Sequence, residues 1–157
     1  MSGAKHNHIT PMAPNGTVTV IDATGLVLGR MATAVAKRAS QGETVHIVNA
    51  EKAIITGASK RAIQERYTFK REVGTARKGP FFPREPHLIV KRTVRGMLPY
   101  QQSAGRAAYK RIKAYIGVPR ELAGQEAGSI EAAKREARTF MTVAELSRFL
   151  GSPDRSA

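Results

Sequence analysis

The chain has 157 residues, enough for one domain whose core needs no cross-links. It contains no cysteine, which excludes a disulfide framework, thiol catalysis and any zinc site built on sulfur. Its formal net charge of +14, with a sequence pI near 10.8, calls for a polyanionic partner to relieve self-repulsion.

Residues 1–16 are polar, with Pro and Gly, and are expected to form a flexible extension. They lack the apolar segment of a secretory signal. No apolar run approaches the ~18 residues of a membrane span, so an intracellular, soluble protein is expected. "TVTVIDA" (17–23) is β-branched and alternating, which predicts a strand. Beyond the turn at "TG", Leu28, Met31, Ala32, Val35 and Ala39 recur at helical spacing, predicting a helix from about Gly29 to "QGE". "TVHIVNA" (44–50) reads as a second strand. Strand, helix and strand in this order form a βαβ unit, hence a parallel pair with a right-handed crossover.

"AIITG" follows as a short buried segment, then a helix from about Ser59 to Arg71. "VGTARKGPFFPREP" (73–86) holds three prolines and two glycines, which predicts a long irregular basic loop. Helical spacing resumes over 87–98. Val90, Val94, Met97 and Leu98 form its inward stripe, while Lys91, Arg92 and Arg95 occupy the adjoining arc. Gly96 weakens such a helix and should mark a close approach or its end, and Pro99 stops it. Ser103 can cap a further helix with Ala104, Ala108 and Ile112 on one face and Arg106, Lys110 and Lys113 opposite. "KAYIG" (113–117) reads as a strand, and 118–138 carries only weak signals. "TVAELSRFLG" (142–151) is a final helix with a Thr142–Glu145 capping box, Gly151 at its end, and Val143, Leu146 and Leu150 facing inward. The expected organisation is an extension (1–16), a single α/β domain with a central, mainly parallel sheet flanked by helices (17–151), and a short tail (152–157).

The charge is concentrated. Residues 60–113 hold fifteen Lys or Arg against three Glu (65, 72 and 85), and 86–120 contain no acid. A solvated helix face mixes signs, with Glu placed to pair with Lys. This face does not, and it reads as a grip on nucleic acid, with Lys60, Arg61 and Lys113 inside the same basic stretch. Tyr67, Phe69, Phe81, Phe82, Tyr100 and Tyr109 are interleaved with the cations, a pattern that suits stacking on bases of irregular RNA. Core packing is the simpler reading for Tyr67 and Tyr109.

"TGLVLGR" follows a strand and opens a helix, but lacks both the G-x-G-x-x-G and the Walker pattern. Arg30 beside that helix start could still hold one phosphate. His6, His8, His46 and His87 have no metal-ligand spacing. Asp22 is expected to anchor the turn after the first strand, and Glu51 to join a helix-start or turn network through Thr56. A nucleotide-dependent enzyme on the βαβ unit and a DNA-binding regulator with a basic helix in a major groove are the alternatives.

"DATGLVLGRMATAVAKR", "VHIVNAEKAIITG" and "GPFFPREPHLIVKRTVRGMLPY" followed by "AGR" occur in an order and spacing that resembles the ribosomal protein L thirteen family of the large subunit, in its archaeal and eukaryotic form. The resemblance runs from about Val18 to Gly117 and returns at "FMTVAEL". It implies a structural and assembly component of the ribosome in the cytoplasm, bound to large-subunit ribosomal RNA beside other ribosomal proteins. It implies no catalysis, no small-molecule substrate and no cofactor, with Mg²⁺ only as a counterion of the RNA. The RNA-facing positions implied are Arg30, Lys52, Arg77, Lys78, Arg84, Lys91, Arg92, Arg95, Arg106, Lys110 and Arg111.

Overall fold

The computed structural model describes residues 16–153. The expected extension up to residue 15, with His6 and His8, and the tail from 154 lie outside the described residues. The βαβ unit forms as its spacing predicts. Strand β1 (Val18–Asp22) runs parallel to β2 (Thr44–Val48), in register from Val18 opposite Thr44 to Asp22 opposite Val48. Between them, helix α1 (Leu28–Ser40) buries Leu28, Met31, Ala32, Val35, Ala36 and Ala39. The other edge of β2 takes β4 (Ile112–Ala114), also parallel, giving the order β1-β2-β4. Central β2 therefore has Val45, Ile47 and Val48 almost wholly buried. Each such side chain contributes roughly 1.5–3 kcal/mol relative to exposure.

The short apolar segment after β2 is strand β3 (Ile54–Thr56), reached through a 3-10 turn at Ala50–Lys52. It pairs antiparallel with β5 (Phe140–Thr142) in a second, two-stranded sheet. Helix α2 (Lys60–Glu72) starts where Ser59 accepts the Ala62 amide at 3.1 Å. Helices α3 (Pro86–Gly96) and α4 (Ser103–Lys110) follow, and α5 (Val143–Phe149) closes the core with Val143 and Leu146. Among the described residues, no helix is long and apolar enough to cross a membrane.

Several expectations are corrected. Ile112 and Lys113 belong to β4 rather than to α4, because pairing with β2 overrides helical spacing; the Val45 amide already bonds to the Arg111 carbonyl at 3.0 Å. Ser103 is the first residue of α4, with Gln102 at the cap position and making no side-chain cap bond. Half of the expected capping box forms, Thr142 Oγ1 accepting the Glu145 amide at 3.2 Å, while the Glu145 carboxylate turns to Lys60 at 3.5 Å. Segment 118–138 is woven into the fold. Gly128 exchanges backbone hydrogen bonds with Val20 and Asp22 along the free edge of β1, and Leu122 packs on Val20 and Val48.

Two acids hold the loops at the ends of β1 and β2. Asp22 accepts from the Thr24 hydroxyl (2.7 Å), the Thr24 amide (3.0 Å) and Asn49 Nδ2 (3.1 Å), so it anchors the turn as expected. Burial alone would raise its carboxyl; the Thr24 and Asn49 hydrogen bonds and the Lys52 charge outweigh that and hold it below its ordinary value. Glu51 is buried and accepts the Gly117 amide at 3.1 Å, in place of the expected network through Thr56.

His46, opposite Lys113 in the sheet and 5.8 Å from the Tyr115 ring, has its pKa lowered by burial and then by the Lys113 charge, against Glu121. The unfolded chain therefore takes this proton first as the pH falls through the ordinary value of 6.5. The stability contributed by neutral His46 is complete above that value and is lost below it. Melting curves over mildly acidic pH should fall less steeply for His46→Gln than for the parent. Equal slopes would contradict this assignment.

Candidate nucleic-acid interface

Helix α3 supplies the centre of the basic face. Pro86 opens it with φ already set for a first helical residue. Ile89, Val90 and Val94 are fully buried, and Leu98 just beyond the helix is nearly so. Met97, expected in the inward stripe, is instead 43% exposed and caps the helix end, its amide bonding to the Val94 carbonyl at 3.0 Å. With that stripe fixed against α1, Lys91, Arg92 and Arg95 turn half-outward along the adjoining arc.

Two of these cations are held by aromatic rings rather than by carboxylates. Arg95 lies 4.0 Å from the centroid of Tyr100, and Lys91 Nζ lies 4.9 Å from that of Tyr109. The two tyrosines meet edge to face at 5.4 Å. A cation over a ring face keeps its full charge, whereas a carboxylate partner would neutralise it. Among the described residues, none of Lys91, Arg92 and Arg95 pairs with an acid. Burial raises the Tyr109 hydroxyl, so it stays protonated, in keeping with its half-buried packing.

α4 comes close to this ladder because Gly105 packs against the turn at Pro99. A Cβ at Gly105 would collide with the Pro99 carbonyl. Arg106 crosses back to donate to the Gln101 carbonyl at 2.8 Å, and Lys110 stands exposed at the helix end. The 73–86 loop is irregular as expected, but tethered. Phe82 packs edge-on against Tyr67 at 5.6 Å, and the Arg84 carbonyl accepts from Ser147 Oγ at 2.6 Å. Arg77 and Lys78 are exposed at its tip, and Phe81 stands out beside them.

Other predicted positions are scattered or already engaged. Arg61 is bound to Glu65 at 2.8 Å and Lys60 to Glu145. Arg111 donates to the Ala39 carbonyl at 3.3 Å and so caps the C-terminal end of α1. Arg30 reaches the Ala132 carbonyl at 3.4 Å, and the Val27 amide bonds to Ala133, so the helix start considered for a nucleotide leans on the chain's own 130–134 segment. Lys52 and Lys113 are exposed elsewhere, and Arg84 extends toward Gly151.

Sequence reasoning missed Lys70. Its ammonium sits 4.8 Å from the Tyr67 ring and 5.7 Å from Phe82, and burial, then Arg66, lowers its pKa. The signal was present: Tyr67 and Lys70 are three apart on one helix, which places them side by side. Arg135 and Arg138, in the segment with weak signals, line a polar hollow with Thr56 and Gly57.

By fold and surface this is a basic α/β scaffold protein, built to present fixed cations. Comparison with known proteins makes it particular. The profile of the family described as Ribosomal protein L13 matches residues 16–121. The chain is similar to the large ribosomal subunit protein uL13 of Archaeoglobus fulgidus, 52% identical over 137 residues, covering 85% of this chain and 87% of that one. It is similar also to the proteins of the same name from Methanococcoides burtonii (48% over 138 residues, 86% and 99% covered) and Methanopyrus kandleri (43% over 152 residues, 94% of each). The chain belongs to the ribosomal protein L13 family.

Proposed function

We propose that the chain is a structural constituent of the large ribosomal subunit in the cytoplasm. There it binds and stabilises large-subunit ribosomal RNA beside neighbouring ribosomal proteins, and supports subunit assembly and translation without catalysing a reaction. Family membership supports this reading. The observation that carries it at the level of residues is the row Lys91, Arg92 and Arg95, three cations fixed by packing and rings and left, among the described residues, without carboxylate partners.

The mechanism is displacement of condensed counterions. Each Lys or Arg that meets a phosphate releases part of a cation from the RNA, with a salt slope of about −0.7 to −0.9 per contact. Arg can bridge two phosphate oxygens or stack on a base, while Lys acts as a point charge. Specificity comes from RNA shape, because the sheet and helices hold the cations at set distances. Mg²⁺ belongs to this picture only as a counterion of the RNA.

Sedimentation tests the proposal. The chain should travel with large subunits from its own cells through a wash of moderate salt. Its affinity for protein-free large-subunit RNA should fall linearly with the logarithm of salt concentration. Equal or tighter binding to duplex DNA under the same conditions would contradict it.

A further inference from the structure

Gly96 is not explained by the fold. It is the last residue of α3, exposed, with no positive φ, and a Cβ there would meet no atom of the described residues within 4 Å. Neither backbone geometry nor a neighbour calls for glycine, although glycine weakens a helix relative to alanine. Its position is distinctive. Two hollows, of about 560 and about 510 Å³, meet at Gly96 and Arg92. The first lies between α2, the 73–82 loop and α3; the second lies beside Arg95 and Tyr100.

The chemistry of the pair is one-sided. The first hollow is floored by ring and thioether surface, including Phe69, which is 71% exposed, and Met97. Lys70, Arg92 and Arg95 stand at the rims, and among the described residues no carboxylate lines either hollow. Flat apolar surface bordered by cations is complementary to a group that is aromatic and anionic at once. Each hollow lies within the ~300–1,000 Å³ range of small-ligand sites.

We propose that this paired hollow takes one unstacked nucleotide of an RNA strand. The base enters the α2–α3 groove against Phe69 and Met97, the two phosphates that flank it lie against Arg92 and Arg95, and the sugar passes over Gly96, where a side chain would stand in its way. The inference rests on the reading of the partner as RNA. A paired nucleotide does not fit, because its base is held within the helix; the occupant comes from a loop, bulge or single-stranded junction.

The test uses the full chain bound to protein-free large-subunit RNA, with base-edge reagents (dimethyl sulfate for A and C, a carbodiimide for G and U). The parent protein should protect at least one unpaired nucleotide within its footprint. Gly96→Leu should re-expose that nucleotide and lower affinity about tenfold, with the rest of the footprint and the melting temperature kept. Phe69→Ala, which removes an exposed side chain, should re-expose the same nucleotide, and it decides the matter if Gly96→Leu melts lower than the parent. Full protection in both variants would overturn the inference and leave the RNA reading intact. No footprint from the parent protein would sink the RNA reading itself, and the nucleotide site with it.

Discussion

Arg92→Glu combined with Arg95→Glu is expected to weaken binding to large-subunit RNA on the order of a hundredfold at moderate salt. Both side chains line the hollow at the end of α3, and among the described residues neither has a carboxylate partner, so reversal should replace attraction with repulsion at the two phosphates proposed there. The salt slope should shrink by about 1.5, the share of two lost contacts. Stability should change little. Arg95 gives up its position 4.0 Å from the Tyr100 ring, an interaction worth about 0.5–1 kcal/mol at an exposed site. At this chain length, that moves the melting temperature by only about 1–4 °C. Arg61→Glu is the comparison. Arg61 already pairs with Glu65, and its reversal should cost much less RNA affinity. A double variant that unfolds, or one that binds like the parent, would mean that the two arginines serve the fold instead.

Gly105→Ala should be strongly damaging for a one-carbon change. The added methyl would overlap the Pro99 carbonyl, and that atom is backbone in a tight turn, unable to swing aside as a side chain could. Overpacking of this kind costs about 1–3 kcal/mol, or roughly 2–12 °C in melting temperature at this length. The damage should reach function. α4 carries Tyr109, which touches both Tyr100 and Lys91, so pushing α4 away loosens the supports of the cation row. Gly96→Ala, nine residues earlier and in open space, should by contrast raise stability by about 0.5–1 kcal/mol. Thermal melting of the two variants side by side checks both signs; equal effects would refute the distinction.

The parts of the fold most legible in sequence were those where one face of an element is buried. The stripe Leu28, Met31, Ala32, Val35 and Ala39 specifies α1, and the alternation of 17–23 specifies β1, because burial imposes a period of 3.6 or 2. What stayed hidden was set by pairing across the chain. Ile112 keeps helical spacing with Ala104 and Ala108, yet it enters the sheet because β2 offers free backbone groups there. Gly128 joins the edge of β1 through two backbone bonds, which leave no side-chain pattern to read.

The site divides in the same way. The row Lys91, Arg92 and Arg95 was visible as an arc beside an apolar stripe, and the tethers on Tyr100 and Tyr109 were not, since they join residues from separate elements. Composition also could not separate the unpaired cations from Arg111, whose guanidinium caps α1, or from Lys60 and Arg61, which face Glu145 and Glu65. Sequence counts charge; only packing says which charge is left over.

The most direct test of the central claim is a density map of the large subunit containing this chain, inspected at the C-terminal half of α3. RNA phosphates should lie within hydrogen-bond distance of Arg92 and Arg95. A map in which that surface faces bulk water, or the acidic side chains of another polypeptide, would contradict it.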